Sequence, residues 1–190
     1  VVFVGRMVPS KGVHLLLEAL AVVAQDTRFE ATLAGDGFLR TTLEARSREL
    51  GLVERVRFTG RIPREQVFQL YEESDVFAFP SLEEASGNVV FEAMSRGLPT
   101  VAVDAGGPAA VIDATRGAVV PAHDRATFVR DYAAALPRFL RDPELRLRCG
   151  AAARDDVVRR HVWPRKIEAL RAVYDAVLAE TACAPGPRRA

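Results

Sequence analysis

Lysine is nearly missing from this chain: of 26 basic residues only Lys11 and Lys166 are lysine, which leaves 24 arginines. A GC-rich coding sequence produces such a bias, but it makes the place of Lys11 worth following. An excess of either charge is missing too. Charged residues are 27% of the chain and the formal net charge is +1, which excludes the basic surface of a typical nucleic-acid binder. Cysteine is scarce. Cys149 and Cys183 show no metal-ligand spacing, no disulfide between them is expected, and a reducing cytoplasm is the default compartment. No apolar run approaches the ~18 residues of a membrane span, and no signal peptide is seen. The chain opens on the strand-like run Val1-Val2-Phe3-Val4 without an initiator methionine, so it is expected to be a piece of something longer.

What is present is enough apolar material, 49% of residues, for a sizeable core. Short β-branched runs alternate with helical patterns. Strands are expected at 1–4, 31–34, 56–59, 76–79, 100–103 and 118–120, mostly continuously apolar, as strands covered on both faces are. Between them, helices are expected around 13–24, 39–50, 65–73 and 88–96. Gly51 ends the second and Gly97-Leu98-Pro99 ends the fourth. This alternation predicts an α/β fold: a doubly wound, parallel, six-stranded Rossmann-like sheet with right-handed crossovers. Three further helices are expected at 126–140, 144–158 and 164–179. The last should bury Ile167, Leu170, Val173, Tyr174, Val177 and Leu178, with Pro164 in its first turn. Residues 181–190 have the composition of a disordered tail.

Ligands of open parallel sheets bind outside the carboxyl ends of the strands, near the topological switch point. In the strand order 3-2-1-4-5-6 that point lies between strands one and four, so the loops after Val4 and Phe79 matter most. The first reads Gly5-Arg6-Met7-Val8-Pro9-Ser10-Lys11-Gly12. Ser10 is the expected N-cap of the next helix, which places Lys11 in a first helical turn. A cation there is unfavourable by about 0.3–1 kcal/mol. An anion site would favour it, because Arg6, Lys11 and backbone amides converge on one phosphate; two solvated cations in a loop are the alternative. The loop matches neither the P-loop nor the G-x-G-x-x-G fingerprint, and Gly35-Asp36-Gly37 reads as a tight turn. The second loop runs Pro80-Ser81-Leu82-Glu83-Glu84-Ala85-Ser86-Gly87-Asn88 into Val89-Val90-Phe91-Glu92. Asn88 is the expected N-cap, with amides of Asn88, Val89 and Val90 forming a second anion seat. Glu84 and Glu92 flank that terminus. Carboxylates suit sugar and ribose hydroxyls, since each accepts two hydrogen bonds, although helix-dipole stabilisation also accounts for Glu92.

These motifs together resemble GT-B-fold glycosyltransferases of family 4. The likeness rests on G-R-x-x-x-x-K-G from Gly5 to Gly12, E-x7-E from Glu84 to Glu92, and Glu-Ala-Met-x-x-Gly-x-Pro from Glu92 to Pro99. The Asp104-Ala105-Gly106-Gly107 loop and the Gly60 loop also fit, and the likeness covers about residues 1–180. It implies that residues 1–180 are the nucleotide-sugar-binding domain, the C-terminal half of a two-domain GT-B enzyme that transfers a hexose-type sugar with retention of configuration. Arg6 and Lys11, in the loop opened by Gly5, would hold the donor diphosphate and stabilise it as leaving group. Glu92 would hold the ribose hydroxyls. Glu84 would meet the donor sugar near its reacting carbon. Amides from Gly87 through Asn88 to Val89 would bind sugar or phosphate oxygens, and Ile62 would lie near the nucleobase. No metal and no other cofactor is expected, which agrees with the lack of an Asp-x-Asp motif.

Two departures fall at the sugar end. Ala85-Ser86-Gly87 stands where the family carries an aromatic, and Ala110 where it carries a glutamate. The family's N-terminal acceptor domain and its active-site histidine are absent, and His14, His123 and His161 do not replace that histidine. The implied partners are a nucleotide-sugar donor, the missing lobe, and a lipid or glycan acceptor, with the full enzyme in the cytoplasm or peripheral at a membrane. An isolated half should be nearly inactive and should expose an apolar patch. The alternatives are a GT-B-fold nucleotide-sugar epimerase and a non-catalytic nucleotide-sugar-binding module. Donor base, sugar and acceptor stay open.

Overall fold

A computed structural model describes residues 1–85 and 87–183, with side chains up to 179. The chain forms β1 (Val2–Val4), a 3-10 turn (Pro9–Lys11), α1 (Val13–Val23), β2 (Ala31–Ala34), α2 (Arg40–Glu49), β3 (Val56–Gly60), α3 (Arg64–Glu72) and β4 (Phe77–Phe79). There follow α4 (Asn88–Ser95), β5 (Thr100–Val103), α5 (Gly107–Val111), β6 (Gly117–Val120), α6 (Arg125–Arg141), α7 (Pro143–Asp156), a π turn (Val157–His161) and α8 (Trp163–Cys183).

The six strands form one sheet in the order β3-β2-β1-β4-β5-β6, and every pairing is parallel. The switch point therefore lies between β1 and β4, as expected. Period-two alternation divides the strand side chains between two cores. Phe3, Ala78, Val101 and Val103 join the cluster under α1, α2 and α6. Val2, Phe77, Phe79 and Ala102 join the cluster under α3 and α4, which Ala153 and Val157 close from the far side. Because both faces are covered, the strands are mostly apolar, with exposed Arg57 on the edge strand β3 an exception. Two tyrosines need partners where they are fully buried. Tyr132 donates to Val101 O at 2.6 Å, and Tyr71 packs edge-on against Phe77 at 5.7 Å; burial pushes both phenols up.

Several expectations need correction. Helix α5 went unforeseen, because its five residues are too few to show a period. The expected 144–158 helix gives way to a π turn after Asp156, which leads directly to Trp163. Helix α8 extends to Cys183, so residues 181–183 are helical rather than tail, and residues 184–190 lie outside the described residues. The expected burial along α8 does not occur. Ile167 is 50% exposed and Leu178 65%, with Leu170, Val173, Tyr174 and Val177 between them, and Trp163 is 76% exposed. The helix leaves the domain after Val162, so no sheet lies beneath its apolar stripe. No helix among the described residues is long and apolar enough to cross a membrane.

Candidate functional site

Four βα loops, after β1, β2, β4 and β5, interlock at the carboxyl edge of the sheet, and glycines set their spacing. Gly5 N donates to Ala34 O at 3.0 Å and Met7 N to Asp36 O at 2.8 Å. These bonds hold the β1 loop on either side of Arg6. A side chain on Gly35 or Gly37 would strike Gly5 O or Met7 O, so the Gly35-Asp36-Gly37 turn cradles the first loop. Met7 is fully buried as its anchor. Arg6 itself is exposed, and no hydrogen bond or ion pair joins it to the described residues.

Gly12, at φ +63°, is the N-cap of α1. This corrects the Ser10 assignment: the chain first turns through Pro9–Lys11, and only a residue tolerant of left-handed backbone then starts the helix. Lys11 thus ends the 3-10 turn instead of lying in the first turn of α1. A Cβ on Gly12 would collide with Pro80 O, and Leu82 N donates to Ser10 O at 2.8 Å, so the β1 and β4 loops are in direct backbone contact. That contact delivers Lys11 to Glu84. The Lys11 ammonium bonds Glu84 Oε2, lies 3.4 Å from Ser81 Oγ and sits 5.9 Å over the Phe79 ring. The paired side chains are only 14% and 18% exposed. Glu84 Oε1 accepts from Gly87 N at 3.2 Å, and Gly107 N donates to Glu84 O at 3.1 Å. Gly106, at φ +70°, leaves no room for a Cβ against Glu84 O, so the β5 loop buttresses this glutamate.

Gly87, at φ +60°, is the N-cap of α4, and Asn88 is its first residue. The Asn88 cap assignment is therefore corrected as well. Val90 N is spent on Gly87 O at 2.8 Å, so it does not serve an anion seat. Asn88 is exposed and Val89 half-buried; Val89 O accepts from Tyr71 at 3.5 Å.

Glu92 belongs to a separate neighbourhood. It pairs with Arg64 at 3.3 Å and faces a cavity of about 410 Å³ that Asn88, Phe91, His161 and Lys166 also line. Ile62 is half-buried in the loop between β3 and α3, close in sequence to Arg64. His161 packs on Phe91 at 4.6 Å between ring centres and meets Asp156 Oδ2 at 3.2 Å. Burial lowers the pKa of His161 and of His14.

Two participants escaped sequence reasoning. Ser81 is buried and braces Lys11, and its position directly after Pro80 at a strand end is the signal that could have found it. Arg64 reaches Glu92 across 28 positions of sequence, and no local pattern announces that pairing. A larger cavity, about 740 Å³, lies at the amino ends of β4 and β5 beside Ser74, Pro99 and Gly150. It is on the wrong edge for the ligand chemistry of such sheets.

The doubly wound sheet brings a cation and a carboxylate together at its switch point, and comparison with known proteins gives the family. Residues 1–156 match the family described as Glycosyl transferases group 1, and the chain belongs to it. It is 34% identical over 189 residues to the D-inositol 3-phosphate glycosyltransferase of Corynebacterium diphtheriae, covering 95% of this chain and 43% of that protein. The chain thus spans less than half the length of the curated relatives it matches. Sucrose-phosphate synthase from Thermosynechococcus elongatus superposes with a TM-score of 0.80 at 29% identity, covering 94% of this chain and 45% of that one. The Anabaena protein HepE, solved with UDP and glucose, superposes with a TM-score of 0.72 at 25% identity, covering 92% and 47%.

Proposed function

We propose that the chain is the donor-binding half of a retaining, metal-independent glycosyltransferase of family 4. The observation that carries this reading is the Lys11–Glu84 pair at the switch point, beside an exposed Arg6. Residues 1–180 form the donor domain, and a preceding lobe, corresponding to the rest of the relatives' length, supplies the acceptor site. The HepE complex with UDP and glucose supports a nucleoside-diphosphate sugar as donor. The full enzyme works from the cytoplasm, at the membrane surface if its acceptor is a lipid.

Arg6 and Lys11 hold the diphosphate. Amides from Gly87 to Val89, with the Gly5 loop opposite, complete the anion seat. Glu84 receives hydroxyls of the sugar, Glu92 those of the ribose, and Ile62 lies against the base. In transfer, the bond from the anomeric carbon to the diphosphate oxygen breaks. An acceptor hydroxyl oxygen bonds that carbon on the same face, and its proton passes to the departing diphosphate. Charge builds on the diphosphate as the bond breaks, and Lys11, held in a partly dry site, together with Arg6 lowers that barrier without a metal. Holding acceptor and donor together supplies several kcal/mol more, so the chain alone should transfer negligibly. Turnover equal to that of the full-length protein contradicts the half-enzyme assignment.

The ribose role of Glu92 has its own test. Glu92→Gln should weaken ribonucleotides more than 2′-deoxyribonucleotides in a binding titration. Equal losses reduce Glu92 to a partner of Arg64 and the α4 dipole.

A further inference from the structure

We propose that the Glu84 carboxylate competes with the donor's phosphate for Lys11 and the Gly87 amide, and so makes the site prefer an intact nucleotide sugar over the nucleoside diphosphate left after transfer. The inference rests on the donor-site reading above and deepens it.

A carboxylate and a phosphate offer the same thing to a protein, anionic oxygens that accept charge-assisted hydrogen bonds. Both Glu84 oxygens are used in this way. Oε2 takes the Lys11 ammonium and Oε1 the Gly87 N–H at the head of α4. These are two of the donors a diphosphate at the switch point would take. The pair is little exposed, and Lys11 is steadied by Ser81 and the Phe79 face, so the Lys11 charge is already compensated by Glu84. The Glu84 backbone cannot retreat. Gly107 N holds its carbonyl at 3.1 Å, and Gly106 lies directly against it. An arriving phosphate must therefore rotate the side chain away rather than shift the loop.

The consequence differs between two ligands. A diphosphate alone displaces the carboxylate and leaves it without those donors, beside a second anion, an arrangement that costs free energy. A diphosphate that carries a sugar brings hydroxyls able to donate to the displaced carboxylate. The intact donor gives Glu84 hydroxyl partners in exchange for the donors it loses, while the exposed Arg6 is available to either ligand. Product release is then assisted by Glu84 returning to Lys11.

The test is calorimetric titration of the wild-type chain, Glu84→Gln and Glu84→Asp. The ligands are UDP, GDP and ADP and the glucose conjugate of each. Asp keeps the charge but draws the carboxylate back by one methylene, out of reach of Lys11 and Gly87. Both variants should bind the preferred nucleoside diphosphate roughly three- to ten-fold more tightly than wild type, with no gain for its sugar conjugate. Unchanged or weaker diphosphate binding by Glu84→Gln overturns the proposal. So does a gain in Gln without one in Asp, which would mean charge acting at a distance, and so does an equal gain for the conjugate. If the wild-type chain binds none of the nucleotides, the donor-site reading fails and this proposal with it.

Discussion

Helix α6 opens with Asp124, whose carboxylate accepts from Ala126 N at 2.8 Å and Thr127 N at 3.0 Å, while Thr127 Oγ1 accepts from Asp124 N at 3.3 Å. Helix α4 follows a strand of the same sheet but opens with Gly87, which has no side chain to cap with. Its first amide is met by Glu84 from the preceding loop, and Glu84 is in turn held by Lys11. The α6 terminus is closed by its own residues and is complete. The α4 terminus is completed by a carboxylate borrowed from the preceding loop. Helix α7, capped by Asp142 toward Leu145 N at 2.8 Å, follows the α6 pattern. Helices α1 and α5 resemble α4, each starting at a glycine with no side-chain cap. Self-capped termini lie in the C-terminal helices and serve stability; glycine-headed termini surround the switch point.

Substitutions at the two kinds of terminus should separate stability from binding. The largest effect is expected at Gly12. An alanine there combines left-handed backbone with a collision against Pro80 O, and Gly12→Ala should lower unfolding free energy by about 3 kcal/mol in urea. A loss near zero would mean that the β1 and β4 loops are not locked together. Next comes Arg6→Ala, which should weaken nucleoside diphosphate binding by about 1.5–3 kcal/mol and leave the melting temperature unchanged. Asp142→Ala should do the reverse, costing about 1 kcal/mol of stability at the α7 cap with no change in nucleotide affinity. Binding losses at Asp142 or stability losses at Arg6 would erase the distinction.

The smallest effect is a pH dependence outside the switch-point loops. Hydrogen bonds from Arg116, and then Thr115, lower the Asp113 carboxyl to about 2 from its ordinary value of 3.8. Its folded pKa lies below its unfolded one, so its contribution is present above the ordinary carboxylate range and is lost as pH falls through about 2. Solvent screens this half-exposed pair. The melting temperatures of wild type and Asp113→Asn should differ slightly at pH 5 and converge toward pH 2. A gap that widens on acidification has the wrong sign for this account.

The sheet was legible in the sequence because buried strands are continuously apolar, and the strand order then placed the switch point between β1 and β4. The caps were less legible. Ser10 and Asn88 are good capping residues by type, but Gly12 and Gly87 took those positions, because close backbone contacts and left-handed φ outweigh side-chain preference there. An apolar stripe on α8 announces a face that needs cover. It says nothing of where the cover lies, which is why Ile167 and Tyr174 are exposed. Arg6, Lys11, Glu84 and Glu92 were all visible as candidates. That Lys11 pairs with Glu84, and Glu92 with Arg64, required the folded loops.

The switch point between β1 and β4 is proposed to bind phosphate through Arg6 and Lys11. The most direct measurement is titration of the chain, in the presence of a chelator, with a nucleoside and the matching nucleoside diphosphate. The account predicts at least roughly ten-fold tighter binding of the diphosphate, with most of that advantage lost in Arg6→Ala. Equal affinity for the two ligands would contradict it.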